Sequence, residues 1–173
     1  MTNNFALPKE QQELPDKLSA AILACLEDLE ACEKNKNYKI NMNVWHGAMF
    51  DDLGNPLDGP NCICRVCLGG ARLARIINNP QTYLNEPYPK PEEKPFTIPH
   101  KIEAMDKVRN FDMIWAAKDF YSKGKEYFNQ AQQDMLLSLE KDYRGIGNFY
   151  EESPVKFKKT LRTIAKKLGW VGL

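Results

Sequence analysis

Cys62-Ile63-Cys64-Arg65-Val66-Cys67-Leu68-Gly69-Gly70-Ala71 is the stretch on which the fold turns, because its apolar period changes partway through. Cys62, Cys64 and Val66 recur at every second position, the period of a strand that buries one face. From Leu68 to about Ile77 the composition becomes helical, and Gly70 and Ala74 fall one turn apart on a face with almost no side-chain volume. Each helical glycine costs about 1 kcal/mol relative to alanine. The gain is that another group can approach closely, and Trp45 is the large side chain expected to fill the space.

Upstream, Tyr38, Ile40, Met42 and Val44 alternate with Lys39, Asn41 and Asn43, which reads as a half-buried strand closed by Trp45-His46. Residues 47–61 hold Gly54-Asn55-Pro56 and Asp58-Gly59-Pro60, both turn signals, so a long excursion separates the two strands. The expected arrangement is a small two-stranded antiparallel ribbon of Tyr38–Val44 and Cys62–Val66. A ribbon of two strands is marginal alone and must pack on helices. One such helix precedes it: Leu18, Ile22, Cys25, Leu29 and Cys32 recur at helical spacing, which places both cysteines on a core face as small hydrophobes.

Downstream, Asn78-Asn79-Pro80 ends the Leu68 helix, and Pro80, Pro87, Pro89, Pro91, Pro95 and Pro99 mark a connector at about 79–99. Proline at that density excludes helix and central strand, leaving an extended arm over the surface. The remainder reads as helix. Ile102, Met105, Val108, Ile114, Trp115, Ala117, Phe120 and Tyr121 continue one stripe; Tyr127, Phe128, Ala131, Met135, Leu136 and Leu139 form the next, after a break at Gly124. Gly145-Ile146-Gly147 breaks the chain again. Ser153-Pro154 then supplies an N-cap and a first-turn proline for a last helix that buries Phe157, Leu161, Ile164, Ala165 and Leu168 and stops at Gly169. The fold class that follows is α+β and α-dominant: about five helices with the ribbon, in a single domain over 1–173.

Composition sets the class. With 43% hydrophobic and 27% charged residues the chain has the balance of a soluble globular protein, and no apolar run reaches the length of a membrane span. The first ten residues lack the basic start and apolar stretch of a secretory signal, so a cytoplasmic location is expected. In that reducing setting five cysteines read as free thiols or metal ligands and not as a disulfide framework. Lys and Arg number 24 against 23 Asp and Glu, a net charge of +1, so no whole-protein field attracts a polyanion. Nucleic-acid contact would need a local patch.

Three readings compete for the cysteine segment. His46, Cys62, Cys64 and Cys67 supply the four nitrogen and sulfur donors of a tetrahedral zinc site, although only Cys64 and Cys67 have CxxC spacing. Alternatively Cys67, at the start of the Leu68 helix, is a nucleophile with its pKa lowered by the helix dipole and His46 as its base. In the third reading, the favoured one, the thiols simply fill the contact between ribbon and helix. No catalytic residue and no cofactor is assigned; zinc is the metal considered for these donors. A second candidate is the basic run of the last helix, Lys156, Lys158, Lys159, Arg162, Lys166 and Lys167. Such a face usually only solvates a helix; as a nucleic-acid or partner patch it would use Lys156, Lys159, Arg162 and Lys166. Asp106, Arg109 and Asp112 read as a surface ion-pair trio.

Trp45-His46, a loop, then Cys64-Arg65-Val66-Cys67-Leu68-Gly69-Gly70-Ala71 resembles a group of small uncharacterised proteins encoded by tailed phages and prophages. The likeness extends to Ile102-Glu103-Ala104-Met105-Asp106-Lys107-Val108-Arg109 and to the closing Phe157–Leu173 segment. It implies a phage-related origin and carries no assigned activity. Cys62 and the proline-rich connector depart from the pattern, and a supernumerary Cys62 would deprive zinc of its fourth donor. For a protein of this kind the expected function is interaction: binding and modulating a host macromolecule such as a polymerase, nuclease or defence complex. A host protein is the expected partner and nucleic acid the second choice, with no membrane. An enzyme or metal module would instead concentrate its chemistry at His46 and Cys67.

Overall fold

The computed structural model describes residues 5–13, 15, 17–42, 46–48, 63–77, 128–143 and 150–173. Among them α-helix predominates: α1 (Leu18–Glu33), α2 (Leu68–Ile77), α3 (Gln130–Tyr143) and α4 (Pro154–Trp170), with a short 3-10 helix at Lys9–Gln11. Three short strands, β1 (Tyr38–Ile40), β2 (His46–Ala48) and β3 (Cys64–Val66), complete the inventory. The chain groups into two compact units, one within Met1–Glu13 and Glu27–Met105, the other within Leu14–Leu26 and Asp106–Leu173.

In the first unit the strands form one mixed sheet in the order β1-β3-β2. Strand β1 pairs with β3 in parallel, Tyr38 opposite Cys64 and Ile40 opposite Val66. Strand β2 pairs with β3 antiparallel, His46 opposite Val66 and Ala48 opposite Cys64. The expected two-stranded antiparallel ribbon is therefore corrected in direction and in strand number. Alternation tells which residues share a face, but it says nothing of strand direction, which the connection decides. Here β2 runs back within the link between β1 and β3, so β3 enters between them parallel to β1. His46 consequently opens a strand of its own and does not close the Tyr38 strand.

The central position of β3 explains why its alternating side chains, Cys64 and Val66, are both fully buried. The parallel ladder continues past β1 at both ends, with the Cys64 amide donating to the Asn37 carbonyl at 2.8 Å and the Asn41 amide donating to Val66 at 2.9 Å. A sheet of three short strands needs cover on a face. Helix α2 lies against β2 and β3, and its residues from Leu68 to Ala74 are all buried. The α2 bounds match those read from composition. The Cys32 thiol of α1 lies 3.8 Å from the Ala71 carbonyl oxygen of α2. Phe5 stacks on Tyr38 with ring centroids 5.1 Å apart.

In the second unit α3 packs on α4. Helix α3 begins with a reciprocal cap: the Gln132 amide donates to Asn129 Oδ1 at 3.0 Å, and the Asn129 amide donates to Gln132 Oε1 at 3.1 Å. That cap excludes Phe128 from the helix in which the periodicity had placed it. Helix α4 starts as expected, with Ser153 Oγ accepting from the Lys156 amide at 3.3 Å and Pro154 in the first turn. Its buried face is Phe157, Leu161, Ile164, Ala165 and Leu168, as expected from spacing.

The C-terminus of α4 is corrected. Gly169 continues the helix, and Gly172, at φ 77°, makes the stop. The Leu173 amide donates to Leu168 at 3.1 Å and the Gly172 amide to Gly169 at 3.2 Å, the bond pair of a Schellman motif. The expectations for Trp45, the 79–99 connector, the Ile102–Tyr121 stripe with its Asp106, Arg109 and Asp112 trio, and the breaks at Gly124 and Gly145-Ile146-Gly147 lie outside the described residues. No described helix is long and apolar enough to cross a membrane.

Candidate functional site

Cys67 is the single residue between β3 and α2, and that position gives its sulfur a defined role. As the residue before the first turn it faces orphan amide groups, and the Gly70 amide donates to Cys67 Sγ at 3.5 Å. The Cys67 carbonyl accepts from Ala71 at 2.9 Å, the first bond of the helix. Cys67 is only half-buried, whereas Cys64, three residues earlier on the core side of β3, is fully buried. The β2–β3 register sets His46 opposite Val66, next in sequence to Cys67. Cys62 and the imidazole of His46 lie outside the described residues. Among the described residues no three His, Cys, Asp or Glu side chains gather as metal ligands would.

A second cluster was missed in the sequence reading. Asp28 of α1 is 0% exposed and holds two guanidinium groups of α2: Arg72 Nη1 donates to Oδ2 at 3.0 Å and Arg75 Nη1 to Oδ1 at 2.6 Å. The same arginines fasten the N-terminal segment. Arg72 Nη2 donates to the Gln11 carbonyl and, at 3.1 Å, to that of Glu13; Arg75 Nε donates to Phe5 at 2.8 Å, and the Leu7 amide donates to the Arg75 carbonyl at 3.0 Å. Burial pushes the Asp28 carboxyl above its ordinary range, and Arg72, then Arg75, pull against that shift. The signal was present in the spacing: Asp28 lies three residues after Cys25 and four before Cys32, on the apolar face, and Arg72 and Arg75 are one turn apart. Two guanidinium groups share the one carboxylate and reach backbone carbonyls besides, while buried Arg72 Nε has no acceptor among the described residues. The arrangement ties α1, α2 and the N-terminal segment together.

Cys25 and Cys32 are buried, as expected of small hydrophobes on the α1 core face. Burial pushes the Cys32 thiol up to about 12, with the Asp28 carboxylate adding to the shift. Cys32 is therefore a neutral thiol under all ordinary conditions.

The basic candidates lie on α4, where Lys156, Lys159, Arg162 and Lys166 are all exposed. The capped start and the Schellman end fix the helix, and the buried row from Phe157 to Leu168 fixes its rotation, so the opposite side must face water. Residues 155, 159, 162, 166 and 170 are separated by four, three, four and four positions and share one stripe. Two of these are apolar: Val155 is 75% and Trp170 67% exposed. Lys166 Nζ stands 5.9 Å from the centre of the Trp170 ring. Helix α4 carries no Asp or Glu. Ending the helix at Gly169 leaves Trp170 outside the stripe that the cations form, whereas Val155 lies within the expected helix and stands off its apolar row. Comparison with protein families, with curated proteins and with solved structures finds no match.

Proposed function

We propose that this protein works by binding: it is a small interaction protein of phage type that engages a host macromolecule, such as a polymerase, nuclease or defence complex, through the exposed stripe of α4. The observation that carries the reading is the exposure of Val155 and Trp170 at either end of three aligned cations, Lys159, Arg162 and Lys166. An aromatic ring and a branched aliphatic left in water on a rigid, well-capped helix are stability-neutral at best, whereas aromatic and arginine side chains are the groups that most often anchor interfaces.

The test is size-exclusion chromatography of the tagged chain in bacterial lysate beside the triple variant K159E/R162E/K166E. The reading expects the natural chain in a complex of fixed stoichiometry and the variant as free chain. Identical elution of the two as free chain overturns it.

A second reading has its own observation, the Gly70 amide donating to Cys67 Sγ. Amide groups at a helix N-terminus favour thiolate over thiol, which suits a cysteine-dependent protein with Cys67 as nucleophile and His46 as base, or a zinc site that adds Cys62 and Cys64. Rapid alkylation of Cys67 near neutral pH that slows in His46→Ala supports the thiol form. About one equivalent of zinc in the purified protein supports the metal form. Slow alkylation together with metal-free protein rejects both.

A further inference from the structure

We propose that the stripe of α4 binds single-stranded nucleic acid, with Lys159, Arg162 and Lys166 along the phosphates and Trp170 stacking on a base. This inference rests on the proposal that α4 is the binding face, and it gives that face a nucleic-acid ligand, with a host protein surface as the competing occupant.

Charge complementarity comes first. Seventeen residues of helix carry six cations and no carboxylate. No carboxylate on the helix itself repels a phosphate. From Lys159 to Trp170 the stripe runs for about 16 Å at 1.5 Å per residue, long enough for a few nucleotides of extended strand. Net charge conceals this, because the whole chain sums to +1.

Trp170 separates a single strand from a duplex. Its ring is 67% exposed and lies beside Lys166, 5.9 Å from the ring centre. Cations tracking the backbone with an aromatic platform for a base are the two parts from which single-strand sites are built. In a duplex the base faces are covered by their neighbours, so the indole has nothing to stack on. An acidic protein surface would pair with the cations and also pack on the ring, so competition, and not the geometry alone, separates it from a strand. An anionic bilayer would need the apolar face of the helix, and that face, from Phe157 to Leu168, is buried inside the unit.

The experiment is fluorescence anisotropy of the full chain with a labelled oligothymidylate of about 12 nucleotides. Binding is expected to weaken steeply with salt as counterions are released. Trp170→Ala should weaken it by about tenfold, and Trp170→Phe, which keeps an aromatic face, should restore most of the loss. K159E/K166E should abolish binding at moderate salt. Circular dichroism checks that each variant retains its helix. Duplex of the same sequence, polyglutamate and phosphatidylserine vesicles serve as competitors. Displacement by any of them as effective as by unlabelled strand overturns the assignment, as does a Trp170→Ala protein that binds like the natural one. Should the oligonucleotide fail to bind while the lysate complex survives nuclease and is still lost in the charge-reversed variant, this inference falls and α4 remains a protein-binding face. Loss of neither binding mode in charge-reversed protein removes both.

Discussion

Asp28 shows how much one residue can hold. Its carboxylate is the only described counter-charge for Arg72 and Arg75, and through them it fixes the carbonyls of Phe5, Gln11 and Glu13. Asp28→Ala would leave two guanidinium groups without their anion in a site that excludes water, a change that costs about 3–5 kcal/mol in comparable buried pairs. Urea denaturation should show that loss; a cost below about 1 kcal/mol would mean the arginines find other partners. Cys32, on the same helix face, gives a pH signature. Its thiol is raised from 9.0 to about 12, so the folded state holds the proton more tightly than the unfolded chain does. Its contribution is therefore complete below the unfolded value of 9.0 and is lost as pH rises through about 12. In Cys32→Ala the fall in stability over that alkaline interval should be shallower than in the natural chain. Parallel falls would show that Cys32 ionises no harder in the fold than outside it.

At the scale of elements, legibility followed the number of local signals. Helix α4 carried three: the Ser153-Pro154 start, an apolar row at helical spacing and a glycine-bearing end. Its start and buried face were read correctly. Its end was misplaced because two glycines, Gly169 and Gly172, compete for one role, and only the positive φ of Gly172 distinguishes them. Helix α2 was legible from composition. Strand direction was not, since period two in Tyr38–Ile40 and Cys64–Val66 is identical in parallel and antiparallel pairs, and β2 offers only His46-Gly47-Ala48 as a pattern. The Asp28 cluster was missed for a related reason: a charged residue on an apolar face is read as an exception until its partners, 44 and 47 residues away, are in view. The two ends of α4 are testable separately. Ser153→Ala should cost about 1 kcal/mol, the usual worth of an N-cap oxygen. Gly172→Ala should cost about 1–2 kcal/mol, because a Cβ is unfavourable in the left-handed region while the space around it is open. Thermal unfolding reads both; an unchanged midpoint in Gly172→Ala would mean the last turn relaxes without penalty.

Over the whole molecule, an almost neutral chain carries one helix that is wholly basic, so its net charge and its local field point to different partners. That contrast, with the exposed ring at the end of the basic stripe, is the basis for assigning α4 as the face through which the protein acts. The assignment is separable from partner identity. Hydroxyl-radical footprinting of the full chain, read by mass spectrometry, reports side-chain exposure at Val155 and Trp170, and Leu23 and Leu137, 42% and 46% exposed, serve as internal references. On adding bacterial lysate, the account predicts several-fold slower oxidation of Trp170 and Val155 with Leu23 and Leu137 unchanged. Unchanged oxidation of Trp170 and Val155, with protection arising at Leu23 or Leu137 instead, would contradict it.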